Sequence, residues 1–187
     1  MPTLTEQEAT QTGFDMRIKH MSSCCSTNGT SQTSCEMSTV MIGTCPRCGT
    51  RGKKVDLETV KAMLSVSLRG LHPSTQYHFC RSAECEVVYF ADQERFTTFD
   101  IRVPVHQKHP ESQDVPVCYC FRHTPGSIRA EWLAIGMNTV VADVTAGIQA
   151  GQCACEIRNP QGACCLGNVR KVVKRIQQEE QQEELVS

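Results

Sequence analysis

The residues of this sequence with the most specific chemistry are its cysteines, of which there are 13 in 187 residues. They lie close together, as C-x2-C, C-x4-C and C-x-C pairs and as adjacent residues. Cysteines at such short separations rarely bridge each other, because disulfide geometry is restrictive. Thiolates at these spacings are instead typical ligands of zinc and of iron–sulfur clusters. The spacing therefore predicts metal-bound cysteines rather than a disulfide scaffold.

The richest cysteine stretch spans residues 153–167 and reads CACEIRNPQGACCLG, with two cysteines on either side of an Asn-Pro-Gln-Gly turn. Upstream lies a C-x-C pair at positions 118 and 120. Four thiolates complete a [2Fe–2S] site, so six cysteines compete for four places. We expect the upstream pair to be joined by one cysteine from each side of the turn, and the choice on each side stays open. The expected ligands are Cys118, Cys120, Cys155 and Cys165, with Cys153 and Cys164 as alternates.

A second set of cysteines precedes this stretch. Cys45 and Cys48 form a C-x2-C knuckle, and Gly49 after them lets the backbone turn under an ion. Cys80 and Cys85 form a C-x4-C pair between two strand-like segments. Four thiolates are a complete tetrahedral set for Zn²⁺ and leave no position for a substrate, so the pattern predicts a structural zinc site. The alternative is a group of four buried free cysteines.

Composition and charge limit the binding partners and the cellular compartment that we expect for this protein. The net charge of −1 supplies no overall field that would attract nucleic acid or a membrane surface. No apolar run approaches the length of a membrane span, and the N-terminus lacks the apolar core of a secretory signal. Metal-bound thiolates are typical of a reducing compartment, so we expect a cytoplasmic protein. Aromatic residues make up only 5% of the chain, and we therefore expect a small hydrophobic core that bound metals supplement.

Hydrophobic periodicity predicts two kinds of element around the cysteines. β-branched and aromatic residues near Cys80 and Cys85 indicate strands, whereas beyond residue 117 apolar residues recur at helical spacing. The predicted fold class is α+β, with a small zinc-bound β-hairpin and helix unit followed by an all-helical [2Fe–2S] unit. The predicted elements are a helix after Asp56, strands at 76–80, 85–91 and 96–103, and helices at 128–135, 138–150 and from 165 onward.

The same patterns divide the chain into five segments. The N-terminal segment is rich in Ser, Thr and Gln and has no sustained period, which predicts disorder. Its Cys24, Cys25 and Cys35 are interpreted as incidental sulfur, the alternative being a soft-metal site. The segments are a disordered leader at 1–41, a zinc-binding unit at 42–104, a linker at 105–116, a [2Fe–2S]-binding helical unit at 117–178 and a disordered tail at 179–187.

The ordered run of cysteine motifs resembles a known family. VCYCF and GQCACEIRNPQGACCLG look like parts of the N-terminal iron–sulfur and zinc domain of archaeal CopZ-type copper chaperones, and CPRCG and YHFCRSAECEVVYF look like its zinc half. The second half is also similar to bacterioferritin-associated ferredoxin, a small helical [2Fe–2S] protein with C-x-C followed by C-x2-C. This chain departs from that ferredoxin, because Glu156 stands where a C-x2-C pair from Cys153 would need its second cysteine.

The resemblance implies one [2Fe–2S] cluster, one Zn²⁺ and a role in copper handling, with one-electron reduction of Cu(II) to Cu(I) as a candidate reaction. The sequence has no M-x-C-x-x-C copper motif, so we expect a separate partner to carry copper. That partner would be a copper chaperone domain, a copper-transport ATPase or a redox protein. The alternative function is a metal-stabilised interaction module with a structural cluster. Enzymatic activity through a reactive cysteine ranks last, because no Cys/His/Asp constellation is evident.

Overall fold

The computed structural model describes residues 43–92 and 94–186, with side chains as far as residue 183, and so contains both predicted cysteine sets. The leader predicted for residues 1–41, with Cys24, Cys25 and Cys35, lies outside the described residues. The rest of the chain combines an antiparallel sheet with helices, which confirms the predicted α+β class.

The first half of the described chain is built on a four-stranded antiparallel sheet with its strands in chain order. Its two central strands are rich in aromatic and β-branched residues, and every residue of both strands is buried. Phe79 of one strand pairs with Tyr89 of the next. The first-half elements are β1 Lys53–Val55, α1 Leu57–Met63, β2 Tyr77–Phe79, β3 Val87–Ala91 and β4 Glu94–Thr97, with short 3-10 helices at Leu68–Gly70, Thr98–Asp100 and His106–Lys108.

Helix α1 covers one face of this sheet. Val60, Met63 and Leu64 recur at helical spacing and pack against the aromatic side chains of Tyr77 and Tyr89. All five side chains are buried, so the first half has an apolar core of its own beside its cysteines. Strand β1 had no clear sequence signal, because only Val55 of its three residues faces the core.

Four helices make up the second half. Helix α2 begins at a reciprocal capping box, in which Thr124 accepts from the Ser127 amide while the Ser127 hydroxyl oxygen accepts from the Thr124 amide. The sequence predicted a helix that begins at residue 128, with Ser127 as its cap. The observed helix begins three residues earlier, because Pro125 suits the first helical turn. Helix α2 ends at the left-handed Gly136, as predicted. The helices are α2 Pro125–Ile135, α3 Val140–Gln149, α4 Cys155–Arg158 and α5 Leu166–Val186.

The final helix is longer than the sequence predicted. A disordered tail was expected from residue 179, but α5 continues to Val186. Arg129 of α2 forms ion pairs with both Glu179 and Glu180, and these contacts hold the end of α5 against α2. The Gln- and Glu-rich sequence of this end also favours helix intrinsically.

The segment predicted as a polar linker at 105–116 is packed against both halves. Val105 is only 1% exposed. The Tyr119 hydroxyl donates to the carbonyl of Pro104 and accepts from the amide of His106. Lys108 donates to the carbonyl of Ser82, which lies between two of the first-set cysteines. These tertiary contacts are not readable from a polar, proline-bearing sequence.

Direct hydrogen bonds join the two halves. The Thr59 hydroxyl of α1 donates to the carbonyl of Glu156 at 2.7 Å. The Tyr89 hydroxyl of β3 donates to the carbonyl of Pro160. Gly162 has a φ of 60°, and a Cβ at this position would lie 2.8 Å from the Thr59 hydroxyl oxygen. The first half therefore contacts the loop that separates Cys155 from Cys165.

None of the helices in the described part of the chain combines the length and apolarity that crossing a membrane requires.

We predict that Gly162→Ala lowers the free energy of unfolding of zinc-loaded protein by about 2–4 kcal/mol, since it adds a close contact with Thr59 to the cost of a left-handed backbone. Gly151→Ala is the matched control, because Gly151 has a φ of 67° with nothing within 4 Å of its Cβ position. It should cost only about 1 kcal/mol. Urea unfolding measures both values. Equal losses in the two variants would show that the Thr59 contact does not hold the halves together.

Candidate metal centres

The first cysteine set begins at a tight turn before β1. The amide of Gly49 donates to the carbonyl of Cys45, and the amide of Cys45 donates to the carbonyl of Thr50, both at 2.9 Å. Gly49 has a φ of 71°, a conformation that glycine adopts without strain. The turn brings Cys45 and Cys48 to one side of the loop, as the C-x2-C spacing predicted.

The sheet supplies the other two cysteines of this set. Cys80 directly follows β2 and Cys85 lies two residues before β3, so both sit at one end of the central hairpin. The sulfur atoms of Cys45, Cys48, Cys80 and Cys85 all lie within 4.8 Å of one another. The Cys45–Cys85 distance is 3.9 Å and the Cys48–Cys80 distance is 3.6 Å. A tetrahedral zinc ion with Zn–S bonds of about 2.3 Å requires sulfur separations of about 3.8 Å, so this donor set fits Zn²⁺.

Hydrogen bonds and burial act in opposite directions on the protonation of these thiols. Burial would raise the pKa of Cys48, but hydrogen bonds from the Thr50 side chain and backbone outweigh it and lower that pKa to about 6. Burial raises the pKa of Cys80 to about 12, and it also raises the pKa of Cys85. In the absence of an ion, Cys48 therefore loses its proton more readily than Cys80 or Cys85, and a bound cation would displace the protons of the latter two.

The second cysteine set is assembled from three separate loops. Cys118 and Cys120 lie in a turn before α2, closed by the amides of Val117 and Cys118 donating to the carbonyl of His123. Cys155 is the first residue of α4. Cys165 directly precedes α5, and its carbonyl accepts the amide of Val169 at 3.0 Å.

These loops bring four cysteines together as two pairs. The sulfur atoms of Cys120 and Cys155 lie 3.9 Å apart. The side chains of Cys118 and Cys165 also interact, and this interaction lowers the pKa of Cys118 to about 6 while raising that of Cys165. Burial, reinforced by the charge of Cys120, raises the pKa of Cys155 to about 12. The Cys118–Cys165 pair therefore resembles a thiol and a thiolate that share one proton.

The two alternates, Cys153 and Cys164, are placed differently. Cys164 is exposed and Cys153 is half-buried, whereas Cys155 and Cys165 are buried. Within the described chain, neither alternate forms a sulfur–sulfur hydrogen bond like those of the two pairs. Cys153 lies near enough to act electrostatically on Cys155, and Cys164 lies near enough to act on Cys165.

Backbone amides surround the sulfur atoms of the paired cysteines. The amide of Ala154 donates to the sulfur of Cys120 at 3.3 Å. The backbone of Cys120 and Phe121 hydrogen-bonds the sulfur of Cys118, and the backbone of Cys165 hydrogen-bonds that of Cys155. Such donors stabilise thiolates and inorganic sulfide. Two thiol pairs with amide donors are the donor set that a [2Fe–2S] cluster requires, so these residues fit that group.

Asn159 shapes the loop between Cys155 and Cys165. It is 1% exposed, and its side-chain amide donates to the carbonyl of Ala163 while its oxygen accepts the amide of Gln161. Sequence reasoning noted the turn but missed this side-chain role, although an Asn-Pro-x-Gly stretch signals a turn closed by the asparagine. Thr59 and Tyr89, which bond the same loop, had no sequence signal because they lie in the other half.

Comparisons with known proteins agree with the first site. The model of the CopZ-type zinc-binding domain family matches residues 42–102, a stretch that contains all four cysteines of the first set. The copper chaperone CopZ of Archaeoglobus fulgidus is 32% identical over 143 residues, covering 71% of this chain and 68% of that protein. This chain belongs to the CopZ family.

The structure of this CopZ-family chain is similar to a solved one. The X-ray structure of the N-terminal domain of Archaeoglobus fulgidus CopZ aligns with a TM-score of 0.58 and 30% identity, covering 69% of this chain and 96% of that domain. The family match and the four-cysteine geometry identify a zinc-type metal-binding protein. The likeness of the second half to bacterioferritin-associated ferredoxin stays a prediction.

We predict that Cys48→Ser lowers zinc affinity by at least about 100-fold, since losing an outer-shell partner alone commonly costs about 10- to 100-fold. Cys48 is exposed, so the substitution disturbs little packing. Competition with a chromophoric chelator measures the affinity. Cys164→Ser is the control, because Cys164 is also exposed and lies outside the four-sulfur group. Unchanged zinc affinity in Cys48→Ser, or an equal loss in Cys164→Ser, would contradict this ligand set.

Proposed function

We propose that this chain is a one-electron redox protein of copper handling that holds Zn²⁺ in its first cysteine set and a [2Fe–2S] cluster in its second. Zn²⁺ would be bound by Cys45, Cys48, Cys80 and Cys85 in a structural role. The observations that carry the proposal are the 3.9 Å separation of the Cys120 and Cys155 sulfur atoms and the interaction that couples the Cys118 and Cys165 thiols.

The pairing supports a binuclear cluster over a second mononuclear site. In a [2Fe–2S] cluster each iron takes two protein ligands, so two separate pairs are needed. Cys120 and Cys155 would serve one iron, and Cys118 and Cys165 would serve the other. Within the described residues, only the first cysteine set has four ligand atoms all within 4.8 Å of one another, as a single ion requires.

The chain's own residues would set the properties of the site. A [2Fe–2S] cluster, when bound, supplies a one-electron redox couple. The amide of Ala154 and the backbone bonds to Cys118 and Cys155 would stabilise its negative charge. Cys118 and Cys165 are 0% and 2% exposed, whereas Cys120 is half-buried. Electrons would therefore enter and leave on the Cys120 side.

The proposed role in copper handling is based on the relative from Archaeoglobus fulgidus, which is named copper chaperone CopZ. The proposed reaction takes one electron from an external donor, such as a reductase, and passes it to one Cu(II) ion, which becomes Cu(I). Copper is the substrate here, and a separate protein would carry it.

The second candidate function is a metal-stabilised interaction module in which the cluster only shapes a surface. The hydrogen bonds from Thr59 and Tyr89 to the cysteine loop favour it, because they make that loop part of the scaffold. The two candidates differ in whether the protein exchanges electrons with Cu(II).

We predict that anaerobic, one-electron-reduced protein mixed with one equivalent of Cu(II) yields about one Cu(I) per cluster, trapped by a Cu(I)-specific chelator. The paramagnetic resonance signal of the reduced protein should disappear at the same rate. Oxidised protein and the Cys165→Ser variant are the controls, because free thiols also reduce Cu(II). Copper reduction no faster than in these controls, with the signal unchanged, would contradict the redox function and favour the interaction module.

A further inference from the structure

A cleft with a volume of about 570 Å³ opens between the two halves, beside the second cysteine set. The first half contributes Arg102, Val103 and Pro104 to its lining. The second half contributes Tyr119, Arg122, Ile157 and Arg158. Neither the zinc site nor the paired thiols use these arginines.

The charge of this cleft contrasts with that of the whole chain. Its lining holds three arginines, Arg102, Arg122 and Arg158, against one acid, Asp114. The chain as a whole carries a net charge of −1. Among the ion pairs of the described residues, none involves these three arginines. The cleft is therefore a local positive surface on a nearly neutral protein.

Two of the arginines are held in position by the backbone. Arg102 donates from its guanidinium to the carbonyl of Leu64 at 2.7 Å, which leaves its other N–H groups free to face a ligand. Arg122 has a φ of 63°, an uncommon conformation for a residue with a side chain. Arg122 lies in the turn that closes on the His123 carbonyl, two residues after Cys120.

The cleft lies next to the more accessible sulfur pair. Arg122 follows Cys120 by two residues, and Ile157 and Arg158 follow Cys155 in α4. Ile157 is 49% exposed, so the cleft offers an apolar contact among its charges. Arginine with apolar and tyrosine neighbours is the composition enriched in protein interfaces.

We propose that this arginine cleft docks an acidic segment of a separate partner protein and brings that partner beside the Cys120–Cys155 pair. A protein partner fits better than a small anion, because all three arginines are exposed at the cleft and none is buried in an enclosed anion pocket. Transient redox encounters use small interfaces that complementary charge steers. The role given to the partner rests on the proposed redox function. The docking itself does not, because it can be measured without electron transfer.

Fluorescein-labelled hexaglutamate serves as the probe, with binding to the metal-loaded full chain followed by fluorescence anisotropy at low salt. The double variant Arg122→Gln/Arg158→Gln should weaken binding by about fivefold or more, because exposed charge pairs contribute modestly and additively. The control variant is Arg170→Gln/Lys174→Gln, which removes the same charge from exposed positions of α5. It should leave binding unchanged apart from a small long-range effect. Wild-type protein that does not bind the peptide, or equal weakening in both variants, would overturn the proposal.

A peptide that ends in p-benzoylphenylalanine locates the contact by photocrosslinking and mass spectrometry. Crosslinks at 102–104, 114–122 or 157–158 are expected, and crosslinks confined to other regions would overturn the proposal. Inorganic tripolyphosphate that binds this cleft more tightly than the peptide would also overturn it in favour of a small polyphosphate ligand. These readouts do not depend on electron transfer. A protein inert toward Cu(II) that still binds hexaglutamate through Arg122 and Arg158 would therefore count against the redox function alone.

Discussion

The shape of the second cysteine set depends on hydrogen bonds that reach it from the other half of the protein. Tyr89 is completely buried and its hydroxyl donates to the carbonyl of Pro160, while Thr59 donates to that of Glu156. A buried donor that loses its partner is costly, so the loop and the sheet constrain each other. Strand β3, which carries Tyr89, also directly follows the Cys85 region. These hydrogen bonds connect the sheet beside the four-cysteine site to the loop that holds the paired thiols. We therefore expect loss of metal from the first site to make the second cysteine set less ordered.

Local spacing was enough to predict which segments carry the cysteine sets, because the two cysteines of a C-x2-C or C-x-C pair are close together in any fold. It could not decide which cysteines of residues 153–167 face the Cys118 loop. That choice depends on how the loop folds around Asn159 and on its bonds to Thr59, a residue 97 positions away from its partner. The cluster of arginines was missed for the same reason, since Arg102 and Arg158 line one cleft only in the folded chain.

The low aromatic content of the sequence led us to expect a small hydrophobic core. Each half of the described chain has an apolar cluster, because valine and isoleucine at regular spacing supply the area that aromatics do not. Val144, Val169 and Ile176 are the clearest cases in the second half. Bound metals would therefore supplement existing cores and fix the loops at the edges of those cores. The segments interpreted as linker and tail also make tertiary contacts that the sequence does not reveal, through burial of Val105 and the ion pairs of Arg129.

Iron, sulfide and zinc analysis of protein purified without oxygen tests most directly whether the paired thiols hold an inorganic cluster. For the whole chain we predict two irons, two sulfides and one zinc per molecule, the content of one [2Fe–2S] cluster and one tetrahedral zinc site. Cys164→Ser should keep this content, whereas Cys165→Ser should keep zinc and lose most of the iron and sulfide. Colourless, iron-free protein that still folds with zinc bound, or equal iron loss in the two variants, would contradict the cluster and its proposed ligands.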